Sequence, residues 1–263
     1  MTLPIVDFCS LKVTRLILGA NPFGGYSHQN EERDIAMRKY YTVERILETW
    51  KRAETAGINT MITNNETPHV LEAVRTYKAN GGALQWITQV NALNLPDMPT
   101  AIDESVAIGC SALFFHGMQI DELYRRRDDS TLRGWCDYAR SHGVPVGVAG
   151  HDPNTHLWVN DLNVVDFHVV CFFNCGSLHN NEGERFVLSD IDPATACIRS
   201  INKPCIAYKI MGAGRIDARM AFEHAFANIK PADVVNVGMH RGDKDDMVEE
   251  NVAIVREILD GIN

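Results

Sequence analysis

The chain has no long apolar run, no close cysteine pair and no excess of basic charge. Its longest hydrophobic stretches are too short to span a bilayer. The first ten residues lack a basic segment followed by an apolar core, so no secretory leader is expected there. Seven cysteines (9, 110, 136, 171, 175, 197 and 205) are scattered with no C-x-x-C spacing. That odd, dispersed set predicts free, mostly buried thiols and a cytoplasmic location. A net charge of −9 argues against nucleic acid or an anionic membrane as the main partner. No H-E-x-x-H or comparable close-spaced metal motif occurs, and no low-complexity tract or Pro/Gly/Ser linker divides the chain.

What is present is repetition. The 263 residues come close to the roughly 250 of one (β/α)₈ barrel. Segments 5–8 and 11–13 read as a short hairpin that plugs one end. Buried strands are then predicted at 16–21, 60–63, 84–90, 111–116, 145–149, 167–173, 204–210 and 233–239. Amphipathic helices alternate with them, stopped by glycines such as Gly57 and Gly109. Eight such units predict an α/β chain folded as a single (β/α)₈ TIM-barrel domain over 1–263, with an N-terminal β-hairpin. The connections at 27–41 and 176–189 are long and polar. They are expected to overhang the mouth as enlarged βα loops, carrying His28 and His179.

In such a barrel, chemistry collects at the C-terminal ends of the strands. The run Ser111-Ala112-Leu113-Phe114-Phe115-His116-Gly117 delivers His116 there, and Val148-Ala149-Gly150-His151-Asp152 delivers His151 from the next strand. His116 and His151 are candidate acid/base groups, or metal ligands completed by Glu66 at the second strand end. The structural alternatives are backbone-satisfied strand-end histidines and a glutamate at a helix start. Lys209 sits near the end of an apolar strand, where it could serve as a base, a Schiff-base nucleophile or an oxyanion partner. Gly212, Gly214 and Arg215 follow that strand, where many barrels bind phosphate, or simply form a tight turn. Asn21, Asn64, Asn65 and Asn174, all at strand ends, suit a hydroxyl-rich substrate, though each also fits a turn.

The order of pieces resembles the aldo-keto reductases. The likeness runs from the hairpin and Leu16-Ile17-Leu18-Gly19 through Glu54-Thr55-Ala56 and Leu113-Phe114-Phe115-His116 to Glu249-Glu250-Asn251-Val252. The resemblance implies NADPH and a catalytic aspartate, tyrosine, lysine and histidine. Here Ile62 stands at the aspartate position, Gln89 at the lysine position, and no tyrosine follows the second strand before Pro68. Only His116 matches. The expectation is therefore an enzyme of lyase, hydratase or isomerase type, working by acid/base or metal-assisted proton abstraction beside a carbonyl. Its substrate would be a small oxygenated molecule of the sugar or keto-sugar class. Its cofactor would be a divalent metal or none, with NADPH as the alternative. A reductase with a replaced proton donor, such as His116 or Tyr26, and a non-catalytic ligand-binding barrel are the competing readings. The expected partner is that small molecule, with neither nucleic acid nor membrane; self-association as a homo-oligomer is left open.

Overall fold

The computed structural model describes residues 2–175 and 186–262. The hairpin is β1 (Ile5–Phe8) and β2 (Leu11–Thr14), paired antiparallel. The repeating part runs β3 (Leu16–Gly19), α1 (Asn21–Gly24), α2 (Glu31–Tyr40), α3 (Val43–Ala56), β4 (Thr60–Asn64), α4 (Pro68–Ala79), β5 (Gln85–Val90), α5 (Met98–Ile108) and β6 (Ala112–Phe115). It continues with α6 (Gly117–Arg126), α7 (Asp129–Ser141), β7 (Val146–Gly150), α8 (Pro153–Leu162), β8 (Phe167–Cys171), α9 (Ile191–Ser200), β9 (Cys205–Tyr208), α10 (Ala218–Asn228), β10 (Val234–Gly238) and α11 (Met247–Ile262). Strands β3 to β10 pair in parallel, and β10 closes on β3 through registers such as Gly238 against Gly19. The expected TIM barrel with its N-terminal hairpin is the fold.

The near-continuous apolar strands follow from burial on both faces. Ile17, Ile62, Ile87, Phe114, Val169, Ile206 and Val234 point inward and form one cluster. The alternating positions Leu18, Met61, Trp86, Phe115, Val170 and Val235 pack under the helices in a second, larger cluster. The helices are cut to length by caps. Thr42 accepts from the Arg45 N–H to start α3, and Gly57, at φ 101°, ends it. The hairpin closes the N-terminal end: Phe8 and Val13 join the inner cluster, and the Phe8 and Phe167 rings lie 5.2 Å apart.

Three local expectations are corrected. The polar stretch after β3 contains a full helix, α2, whose N-cap Asn30 accepts from the Arg33 N–H. The sequence pattern places the helix after β6 from Asp121; it begins at Gly117 instead, because His116 itself caps it and Ile120 and Leu123 supply its buried face. Strand β9 stops at Tyr208, and Lys209 turns into the left-handed region at φ 55°. Of the second long connection, 176–185, with His179, lies outside the described residues. Among the described residues no helix is long and apolar enough to cross a membrane.

Candidate active site

A cavity of about 380 Å³ opens at the C-terminal end of the barrel. Its floor is apolar, made by Ile62, Phe114 and Val169 at the top of the inner cluster. The next inward positions along the strands are polar, and Gln89, His116, His151, Tyr208 and Asn236 form the wall. The pleat explains this layer: residues two apart on a strand share a face, so Ile87 leads to Gln89, Ile206 to Tyr208 and Val234 to Asn236.

His151 is the most constrained of these groups. Its Nδ1 lies 2.8 Å from Oδ2 of Asp121 on α6, and its backbone N–H also donates to both carboxylate oxygens, at 3.1 and 3.2 Å. The Thr155 hydroxyl on α8 donates to Asp121 Oδ1 at 2.8 Å. Burial alone would raise the Asp121 carboxyl, but these donors, His151 foremost, hold it below the ordinary carboxylate range. An ionised carboxylate only accepts, so Nδ1 of His151 carries the proton and Nε2 keeps a lone pair. Burial lowers the His151 pKa against the pull of Asp121, so the ring is neutral at pH 7.

His116 has the opposite tautomer. Its Nδ1 accepts the Met118 N–H at 3.2 Å as the cap of α6, which puts the proton of the neutral ring on Nε2. Burial lowers its pKa, and the nearby Glu66 charge opposes this. Both rings line the same cavity, and His151 packs against the residue after His116: a Cβ built on Gly117 would sit 2.8 Å from Cε1 of His151. The cavity thus carries one imidazole able to accept a proton and another able to donate one. His28, from the connection before α2, also lines it and is pushed down to about 3 by burial and then by the Lys209 charge.

Lys209 reaches the cavity wall by backbone conformation. A residue after the inward Tyr208 would face outward in a continued strand, and the left-handed turn redirects it. Its Nζ donates to the Asn174 carbonyl at 3.1 Å and lies 5.7 Å from the Tyr208 ring centroid. Above the cavity, α2 and its leading loop are fastened to the far rim. Gln29 Nε2 donates to the Ala213 carbonyl at 2.6 Å, Arg215 donates to the His28 carbonyl at 3.4 Å, and Arg33 pairs bidentately with Asp243.

Of the residues singled out in the sequence, Asn21, Asn64, Glu66, His116, His151, Lys209 and Gly214 line the cavity. Others do not reach the wall. Asn65 exchanges two hydrogen bonds with the Asn91 backbone and clips two loops together. Asn174 faces a separate hollow beside α9, Gly212 is covered by Phe186, and exposed Arg215 caps the Gly212 carbonyl. Asn64 lines the cavity, yet its side-chain oxygen is committed to the Glu66 and Thr67 N–H groups. The expected metal set of His116, His151 and Glu66 is not assembled: no three His, Cys, Asp or Glu side chains converge for an ion among the described residues. The Glu66 carboxylate is instead held by Asn91 at 2.6 Å, and the neutral His116 ring carries its proton on the nitrogen that would have to ligate. Sequence reasoning missed Asp121, Thr155, Tyr208 and Asn236. For Tyr208 and Asn236 the period-two step from Ile206 and Val234 was a usable signal; for Asp121 it was hidden by the misplaced start of α6.

No protein-family model matches the sequence, and no curated protein does. Among solved structures, a Pseudomonas aeruginosa protein assigned as an aldo-keto reductase superposes with a TM-score of 0.68 at 17% identity, covering 97% of this chain and 94% of that one. The truncated 3-deoxy-D-arabino-heptulosonate 7-phosphate synthase of Thermotoga maritima follows at 0.62 and 12%, covering 99% and 94%. The 3-keto-L-gulonate-6-phosphate decarboxylase of Vibrio cholerae gives 0.55 and 11%, covering 83% and 92%. At these identities the likeness establishes one thing about this chain, its (β/α)₈ barrel fold.

Proposed function

We propose that the protein is an enzyme that moves a proton beside the carbonyl of a small oxygenated substrate of the sugar or keto-sugar class. The observation that carries this reading is the pair of neutral imidazoles with opposite tautomers, one of them fixed by a buried aspartate. His151, held by Asp121, takes the proton from carbon through Nε2. His116 offers its Nε2–H as a hydrogen bond to the carbonyl, and the protonated His151 hands its proton on to the neighbouring carbon or to a leaving hydroxyl. The Lys209 ammonium stabilises the enolate oxygen as charge develops. Asn21, Asn236 and Tyr208 supply hydrogen bonds to substrate hydroxyls. The outcome is isomerisation if the proton returns to the neighbouring carbon and elimination if a hydroxyl leaves.

The competing reading is an NADPH-dependent reductase using Tyr208 or Tyr26 as donor, suggested by the Tyr208–Lys209 neighbours and by the fold likeness. The described residues do not fit a dinucleotide at the usual phosphate position after β9. Gly212 lies under Phe186, and α10 is capped there by the Asp217 carboxylate. Tyr208 also keeps its proton tightly, since burial raises its phenol well above the ordinary range.

The test is deuterium incorporation. The protein is incubated in D₂O with a panel of ketoses, aldoses and keto-sugar acids, and carbon-bound deuterium is followed by NMR. Exchange beside the carbonyl that disappears in His151→Ala supports the reading. Exchange or turnover unaffected by His151→Ala and His116→Ala, or nicotinamide oxidation on mixing with NADPH and a carbonyl compound, overturns it.

A further inference from the structure

Behind the cavity, α8 and β8 bring together a second histidine pair that the proposed chemistry does not use. His156 is 1% exposed and His168 fully buried. His168 is an outward position on β8, and His156 faces it from α8 with ring centroids 5.3 Å apart. His156 Nε2 lies 3.3 Å from the Gly150 carbonyl oxygen, and its Nδ1 lies 3.1 Å from Nδ1 of His168. A carbonyl only accepts, so His156 carries its proton on Nε2 and presents Nδ1 as an acceptor. His168 must then donate from Nδ1, leaving its Nε2 bare; that atom is buried without a hydrogen-bond partner among the described residues. One assignment of protons satisfies both contacts.

The carbonyl at the end of this chain belongs to the peptide unit that joins Gly150 to His151. The N–H of the same unit is held by Asp121, which is held in turn by Thr155. Thr155 and His156 are consecutive on α8, so one helical turn grips the two edges of a single peptide. The grip depends on small residues: a Cβ on Gly150 would lie 3.0 Å from His156 Nε2 and 3.4 Å from Asp121 Oδ1.

We infer that His156, ordered by His168, is a positioning residue for His151: it fixes the peptide from which the imidazole projects. This rests on the reading of His151 as the base. A misplacement of about 1 Å costs on the order of a hundredfold in rate, so a buried device that fixes the carrier peptide has a measurable consequence.

The test uses ¹⁵N-labelled protein and long-range ¹H–¹⁵N correlation spectra, which read each imidazole's tautomer without substrate. The native protein is expected to show Nε2–H for His156 and Nδ1–H for both His168 and His151. His156→Leu is expected to move the His151 signals towards a tautomer mixture and to slow deuterium exchange into the substrate by at least about tenfold. His156→Gln, which retains an N–H donor for the Gly150 carbonyl, is expected to restore the His151 signals and most of the rate. Native His156 protonated on Nδ1, or His156→Leu with unchanged His151 signals, overturns the inference. If the leucine variant fails to fold, the native tautomers and His168→Leu decide, the latter being expected to release His156 from its single tautomer. Native tautomers as expected, with no exchange traceable to His151, would sink the function and leave the positioning intact.

Discussion

The ends of β7 and β9 place their functional groups by opposite means. At β7 the strand runs its full course and His151 continues the inward alternation. Its ring is then held by Asp121 on α6, which Thr155 on α8 holds in turn, and its neighbours are glycines because nothing larger fits. At β9 the strand stops early, and Lys209 is aimed by one left-handed residue within a segment that also holds Gly212, Ala213 and Gly214 at positive φ. The first end is built from buried polar partners, which are costly to remove. The second is built from backbone strain, which an L-residue tolerates only at about 1–2 kcal/mol. The difference suits the proposed roles: a base must keep one tautomer and one direction, whereas a cation that stabilises charge can tolerate a looser seat.

The largest effect that would sharpen this contrast comes from Asp121→Asn. The amide can donate, so it removes the preference for Nδ1–H on His151 while keeping the shape. Proton exchange is expected to fall on the order of a thousandfold with the fold intact, measured by NMR exchange rates alongside circular dichroism. Next is acid sensitivity. Burial lowers His156 to about 4 from an ordinary 6.5, so below pH 6.5 the unfolded chain takes up protons that the folded chain refuses. Stability is therefore whole above about pH 6.5 and falls as pH drops towards 4, by up to about 3 kcal/mol from this residue. Urea midpoints across that range should decline, and His156→Gln should flatten the decline. If the slope is unchanged in that variant, the buried pair is not what sets it.

Gly117→Ala comes third. Its methyl would meet the His151 ring, and a loss of ten- to a hundredfold in exchange is expected with little change in overall folding. At β9, Lys209→Gly should cut turnover yet raise stability by up to about 1 kcal/mol, seen as a melting temperature higher by a few degrees. A less stable variant would mean that the contacts of the Lys209 side chain outweigh the strain. The smallest effect is expected from Arg33→Ala at the roof. The Arg33–Asp243 pair is about a third exposed on both sides, so its loss should cost under about 1 kcal/mol. Its mark should instead be a change in KM.

The barrel was legible because burial on two faces writes each parallel strand as an apolar run and each glycine stop marks a helix end. His116 and His151 were legible for the same reason, as polar residues ending such runs. The support behind them was not. Asp121 is four residues into α6, and finding it required seeing that a histidine can cap a helix. Thr155 and His156 lie in α8, where nothing in the one-dimensional pattern separates a residue facing the strand end from one packed in the core. Lys209 was found for an incomplete reason: an extended strand through Ile210 would have turned it away from the cavity. Asn65 was an amide at a strand end, as expected, but its side chain clips two loops together, since a short polar side chain bonds its own neighbourhood as readily as a ligand, while Asn174 makes its contacts to Asp190 and Lys209 through its backbone.

The hairpin beneath the barrel has a kinetic corollary. With Phe8 wedged against Phe167, the vessel is blind at its base, so whatever goes in must come out by the same door. Product leaving and reactant arriving then compete for one passage, and accumulated product should inhibit competitively.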